Sequence, residues 1–192
     1  MLHIVYGGSA SGKSSYAESF AMSLQGEGRL LYIATMYPYK WNTTEIDPET
    51  MQRIERHRAM RADKGFDTVE CYWHVEHIVA KRQDVLLLEC MSNLLANEMY
   101  LEPGADMAET MSPVSNKIVQ ALIDLSTRVQ ELVIVTNDVF SDGGSLTYDE
   151  STREYVKNLA EINCALAREA ATVTEVVCGI PVIVKKNHPM GK

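Results

Sequence analysis

Short apolar runs alternate along the chain with stretches in which apolar residues recur every three or four positions. Leu2 to Tyr6 reads as a strand. From Ser14 the apolar residues fall at Ala17, Phe20, Ala21 and Leu24, the spacing of one helix face. Arg29 to Ala34 reads as a second strand. Asp47 followed by Pro48 predicts a helix start, because the carboxylate can accept from free N–H groups of the first turn and proline is pre-set for it. That helix is expected to run to about Arg61. Thr68 to Tyr72 predicts a short strand, and Val75 to Arg82 a short helix.

Val85 to Leu88 is apolar without alternation, as in a strand covered on both faces of a parallel sheet, and Glu89 ends it. Residues 91–99 pattern as a helix, and 101–113, with Pro103, Gly104 and Pro113, as a loop. Val114, Ile118, Leu122, Leu125 and Val129 form a helical stripe, and Leu132 to Thr136 another buried strand. Gly143-Gly144 predicts a mobile loop over Asp142 to Tyr148. A helix follows to about Ala171, then a strand from Glu175 to Cys178. Gly179 and Pro181 mark a turn, after which Val182 to Val184 reads as an edge strand folding back. The alternation, with no repeat, low-complexity tract or linker, predicts one three-layer α/β domain over 1–192, with a mainly parallel sheet and an antiparallel C-terminal edge strand.

Composition changes this picture little. The chain has 192 residues, 46% hydrophobic and 23% charged, ordinary values for a globular protein. Its net charge of −8 argues against broad nucleic-acid binding, which rests on Lys and Arg neutralising phosphates. Cys71, Cys90, Cys164 and Cys178 are too far apart for a zinc or redox pair and read as buried reduced thiols. There is no signal-like opening segment and no apolar run long enough to span a bilayer, so the chain reads as cytoplasmic, without stable membrane insertion.

The candidate chemistry begins at Gly7-Gly8-Ser9-Ala10-Ser11-Gly12-Lys13-Ser14, which fits the phosphate-loop pattern GxxxxGK[ST] between a strand and a helix. Glycines let backbone N–H groups close on phosphate oxygens, and the helix that follows turns its positive end to the anion. Lys13 would reach the β- and γ-phosphates, and the Ser14 hydroxyl would ligate Mg²⁺. Glu89, at the end of a buried strand, stands where a second Mg²⁺ partner is needed. Asp84 starts the same strand and faces the wrong end.

Arg53, Arg56, Arg58 and Arg61 surround His57 on one predicted helix, and 53, 57 and 61 share a face. Such a cluster suits a polyanionic ligand, and equally a solvated helix paired with Glu49 and Glu55. Met51, Ile54 and Met60 are left to seat the helix.

The phosphate loop and basic helix together resemble the bifunctional adenosylcobinamide kinase / adenosylcobinamide-phosphate guanylyltransferase family of cobalamin biosynthesis. The likeness covers nearly the whole chain. It rests on the phosphate loop, on Tyr32-Ile33-Ala34-Thr35, on Met51 to Arg58 with Arg61, and on Leu87-Leu88-Glu89-Cys90 with Asn93-Leu94-Leu95. It continues through Val135 to Val139, Asn163, and Val177 to Pro181.

The resemblance implies a RecA-like P-loop fold and a homotrimer. It implies two reactions: phosphorylation of adenosylcobinamide by ATP or GTP, then transfer of GMP from GTP onto adenosylcobinamide phosphate, with release of pyrophosphate. His57 matches the histidine that carries GMP. Guanine-nucleotide contacts are implied at Ala34, Thr35 and Met36, at Arg58, Ala59, Met60 and Arg61, and at Glu70 and Glu89. Three features depart from the family pattern: Ala10 replaces a basic residue, Asp138 a glutamate, and the stretch Phe140 to Tyr148 lacks the usual glycine, proline and asparagine.

Two other readings stay open on sequence. One is a P-loop kinase for another small alcohol, without guanylyl transfer. The other is a nucleotide-binding regulatory switch, against which a nucleophilic histidine argues. The apolar stretches Met91 to Leu101 and Val182 to Val184 are candidates for contact between subunits.

Overall fold

The computed structural model describes residues 1–40, 43–101, 113–138 and 148–187. Most of the expected loop at 101–113, and all of that at 142–148 except Tyr148, lies outside the described residues. Seven strands form one sheet: β1 (Leu2–Gly7), β2 (Leu30–Ala34), β3 (Phe66–Glu70), β4 (Val85–Glu89), β5 (Glu131–Asn137), β6 (Thr172–Val177) and β7 (Ile180–Lys186). Their order is β3-β2-β4-β5-β1-β6-β7. All neighbours run parallel except β6 and β7. This is the mainly parallel α/β architecture with an antiparallel C-terminal edge strand that the sequence predicts.

The helices are α1 (Lys13–Leu24), α2 (Pro48–Arg61), α3 (Met91–Tyr100), α4 (Val114–Arg128) and α5 (Glu150–Glu169). Strand alternation sends side chains to two cores. Val5, Tyr32, Leu87, Val133 and Val135 meet Ala17 and Ala21 of α1 on one face. Ile4, Leu31, Leu86, Leu88 and Ile134 meet α3, α4 and α5 on the other. Asp47 caps α2 by accepting from the Thr50 N–H, as expected, and Asp149 caps α5 through Thr152 N–H at 2.7 Å.

Four local expectations need correction. Only Val75–His77 is helical in the predicted helix 75–82, as a single 3-10 turn. Ile78 is already extended, and Lys81 N–H donates to Asp84 rather than to a preceding carbonyl. β6 begins at Thr172 instead of Glu175, because pairing with β1 extends it, while Cys178 lies in the turn at φ 51°. Met91, Leu94 and Leu95 are fully buried, so of the two apolar stretches only the C-terminal strand is exposed. Cys164 and Cys178 are exposed rather than buried; no cysteine among the described residues is in a disulfide.

Asp84 is fully buried at the end of β4 away from Glu89. Burial alone would raise its pKa. Hydrogen bonds from the Arg29 guanidinium and from the N–H groups of Lys81 and Arg29 outweigh that and hold it below the usual carboxylate range. A depressed folded pKa stabilises the fold above the unfolded value and loses that contribution as pH falls through the folded one. Asp84→Asn is expected to cost roughly 1–3 kcal/mol in urea unfolding at neutral pH. Its stability should also depend less on pH on the acid side. The loss stays moderate because water reaches the half-exposed Arg29 side chain.

Candidate active site

The carboxyl ends of β1, β2, β4 and β5, with one face of α2, enclose a cleft of about 490 Å³. Parallel strands all end on this side, which is where open α/β sheets bind ligands.

The phosphate loop forms its floor. Ser9, Ala10, Lys13 and Ser14 line the cleft. Gly7, Gly8, Ser11 and Gly12 supply the backbone behind them. Two of these glycines are required by geometry. A Cβ on Gly7 would lie 2.5 Å from the Val176 carbonyl oxygen and 2.7 Å from Ser11 Oγ. Gly12 sits at φ 90°, and its Cβ would approach Gly179 Cα to 3.1 Å. The tip of the β6–β7 hairpin braces the loop, with Gly179 N–H donating to Ser11 O at 2.7 Å. Lys13 Nζ donates to Gly8 O at 3.0 Å, so its ammonium lies across its own loop.

Glu89 is 9% exposed and its Oε2 has no hydrogen-bond partner. A buried carboxylate oxygen left without a partner is costly unless a ligand completes it. With the Ser14 hydroxyl in the same cleft, the donor set fits Mg²⁺, which takes one or two protein oxygens and fills its remaining positions with phosphate and water. Among the described residues no cluster of three His, Cys, Asp or Glu side chains could hold a metal. Such a cluster is not what Mg²⁺ with a nucleotide requires.

Helix α2 turns Arg53, Ile54, His57, Arg58 and Arg61 into the cleft and leaves Arg56 outside. The shared face of 53, 57 and 61 is therefore the inward face. Among the described residues Arg53, Arg56 and Arg61 pair with no carboxylate, whereas Arg58 binds Glu70. Tyr72 also donates to Glu70, at 2.9 Å. Ala59 and Met60 are exposed and do not line the cleft, and Met60 does not seat the helix.

Arg61 seats it instead. Its guanidinium carbon stands 3.4 Å from the centroid of the Tyr32 ring, and the residue is 5% exposed. A desolvated contact of this kind contributes about 2 kcal/mol. Arg61 Nε and Nη1 remain buried without partners, two donors left for an anion. Burial, then the negative charge of Glu89, pushes the Tyr32 hydroxyl pKa well up, so it stays neutral.

Ala34, Met36, Glu70 and Glu89 line the cleft, and Thr35 lies beneath it. The Thr35 hydroxyl donates to Cys90 O at 2.9 Å and accepts from Cys90 N–H at 2.7 Å, tying β2 to β4. Tyr32, Thr68, Tyr72 and Ser92 are lining residues that sequence reasoning did not single out. Strand parity could have found Tyr32, since it shares a face with Ala34. Tyr72 lies in a connection whose direction no pattern specifies, and Ser92 lies in the first turn of α3, whose approach to the cleft is set by packing rather than by periodicity.

The remaining histidines lie elsewhere. His3 is buried between Thr172 and Glu131. His74 and His77 lie beside each other outside the cleft, and His188 is outside the described residues. Among the described residues no helix is long and apolar enough to cross a membrane.

Comparison with known proteins bears on this cleft. The model of the family "Cobinamide kinase / cobinamide phosphate guanyltransferase" matches residues 3–184. The bifunctional adenosylcobalamin biosynthesis protein CobU of Escherichia coli K12 is 30% identical over 195 residues, spanning 96% of this chain and 100% of that protein. The protein of the same name from Salmonella typhimurium LT2 is 30% identical over 196 residues, with the same shares. The crystal structure of the flagellar accessory protein FlaH from Methanocaldococcus jannaschii is similar at a TM-score of 0.48 and 15% identity, over 97% of this chain and 78% of that one. The chain is a transferase and belongs to the cobinamide kinase / cobinamide phosphate guanyltransferase family.

Proposed function

We propose that this one domain phosphorylates adenosylcobinamide with ATP or GTP and then guanylylates the product from GTP through a GMP carried on His57. The observation that carries the reading is the single cleft in which Lys13, Glu89 and His57 meet three arginines. In the first reaction Lys13 and the loop N–H groups hold the triphosphate. The acceptor hydroxyl attacks the γ-phosphorus, and a nucleoside diphosphate leaves. Bound through Ser14 and Glu89, Mg²⁺ would neutralise charge on the phosphates.

In the second reaction a ring nitrogen of His57 attacks the α-phosphorus of GTP, the bond to the β-phosphate breaks, and pyrophosphate leaves. The phosphate of the first product then attacks the same phosphorus and returns His57 to its free form. Two displacements let pyrophosphate and acceptor use the site in turn. Arg53 and Arg61, which pair with no carboxylate among the described residues, supply positive charge where negative charge builds up. Ala34, Met36 and Glu70, with Arg58, edge the nucleotide side of the cleft. Incubation with GTP labelled at the α-phosphorus tests the reading: label should stay on the protein through denaturation, be acid-labile, and leave on addition of adenosylcobinamide phosphate. A protein that never labels speaks for a kinase alone, or for a switch.

The reading includes a cytoplasmic homotrimer. Ile180, Ile183 and Val184 are 58–66% exposed on β7, at the unpaired edge of the sheet, where association would cover them. Light scattering at micromolar concentration is expected to give three times the 21.5 kDa chain mass, and a monomer counts against it.

A further inference from the structure

The cleft lining divides by charge. The phosphate loop and α2 contribute Lys13, Arg53, Arg58 and Arg61, whereas the end of β5 and the start of α3 contribute no cation to the lining: their polar side chains there are the neutral Ser92, Asn93 and Asn137 and the carboxylate of Asp138. Cations suit phosphates. A neutral alcohol needs aimed hydrogen-bonding groups instead. We infer that Ser92, Asn93 and Asn137 form the subsite for the acceptor alcohol, with Asn137 Oδ1 receiving its hydroxyl; this rests on the function proposed above.

Position comes from the strand order. β5 lies between β1 and β4, with Asn137 paired to Gly7 and Val135 paired to Glu89. Asn137 therefore ends the strand that separates the phosphate loop from Glu89. An acceptor must stand there to reach a γ-phosphate held by that loop.

Orientation comes from a polar network behind the wall. Asn137 Nδ2 donates to Ser92 Oγ at 2.8 Å, and Ser92 Oγ lies 2.9 Å from Cys90 Sγ, to which it can donate in turn. Tyr155 donates its hydroxyl to Ser92 O at 3.2 Å. Asn163 Nδ2 donates to Asn137 O at 3.4 Å, and Thr136 donates to Asn163 Oδ1 at 2.8 Å. With Nδ2 engaged, Asn137 Oδ1 is left as an acceptor, and it bonds to no described residue. The Asn93 amide likewise has no side-chain hydrogen bond among the described residues.

The step then balances. Asn137 Oδ1 accepts the O–H and aims the oxygen lone pair at the γ-phosphorus. The new P–O bond forms as the bond to the β,γ-bridging oxygen breaks, and that electron pair leaves with the nucleoside diphosphate. The hydroxyl proton ends on a non-bridging oxygen of the transferred group, because an amide takes none. The former alcohol oxygen, now the ester oxygen of the product, carries no hydrogen to offer Oδ1. The contact that held the alcohol is thus lost on phosphorylation, which frees the product to present its phosphate to His57.

The test uses the whole protein. Asn137→Leu is expected to raise KM for adenosylcobinamide roughly ten-fold or more, the loss of one aimed hydrogen bond and its desolvated partner. KM for the nucleotide should be unaltered, as should labelling of the protein by α-labelled GTP, which needs no acceptor. Asn93→Ala, which leaves the Ser92 network intact, should raise the same KM several-fold and carries the test if the leucine variant does not fold. An unchanged KM for adenosylcobinamide in a folded variant, or an equal loss of GTP labelling, would overturn the inference. A wild-type protein that neither labels nor phosphorylates would overturn the underlying function instead.

Discussion

His57→Ala is expected to abolish labelling of the protein by α-labelled GTP while leaving phosphorylation of adenosylcobinamide nearly intact. The two halves separate because the hydroxyl attacks the γ-phosphorus directly, whereas GMP must first bond to a nitrogen. Arg56, the neighbouring residue, lies about 100° further round the helix and is exposed. Its guanidinium stays protonated and cannot attack phosphorus. His57 faces the cleft with Arg53 and Arg61 on its side. It is half-buried on a helix whose C-terminal turn is held by Arg61 on Tyr32, so truncation to alanine should not unfold the chain. Mass spectrometry of the labelled protein should place GMP on His57. GMP found on His3, His74, His77 or His188, or full guanylyl transfer by the alanine variant, would refute the assignment.

Lys13→Ala is expected to cripple both reactions by about 3 kcal/mol or more of transition-state stabilisation, upwards of a hundred-fold in kcat. Lys13 is the ammonium of the loop, and among the described residues its side chain hydrogen-bonds only to Gly8 O of the same loop. Stability should therefore change little. Steady-state kinetics of both half-reactions, with a melting curve as control, checks this. Near-normal kinase turnover in the folded variant would remove the loop from the mechanism. Loss of one reaction alone would mean that the two triphosphates bind in different places.

Much of the fold is legible along the chain. β4 and β5 are continuous apolar runs that only a sheet buried on both faces can accommodate, and the Asp47-Pro48 start of α2 is a local signal that the structure keeps. The phosphate loop is legible for the same reason. Its glycines, lysine and serine act through backbone geometry specified within eight consecutive residues. The helical 75–82 failed because a distant event decided it: Asp84, buried beside Arg29, captures the Lys81 N–H. β6 starts earlier than its local pattern predicts because its first three residues are ordered by pairing with β1, 169 positions earlier in the chain.

The site divides in the same way. Sequence by itself determined the chemical groups and, through helical periodicity, that Arg53, His57 and Arg61 share a face. Tertiary structure decided which face looks inward, that Arg61 rather than Met60 anchors the helix, and that Gly179 closes against Gly12. It also decided that Ser92, Asn93 and Asn137 stand beside the phosphate loop. Periodicity is a property of neighbours a few residues apart, so the chain states it directly. Cation stacking, a glycine-to-glycine contact and a shared cleft join residues far apart in sequence, and they exist only once the parallel strands bring their carboxyl ends together.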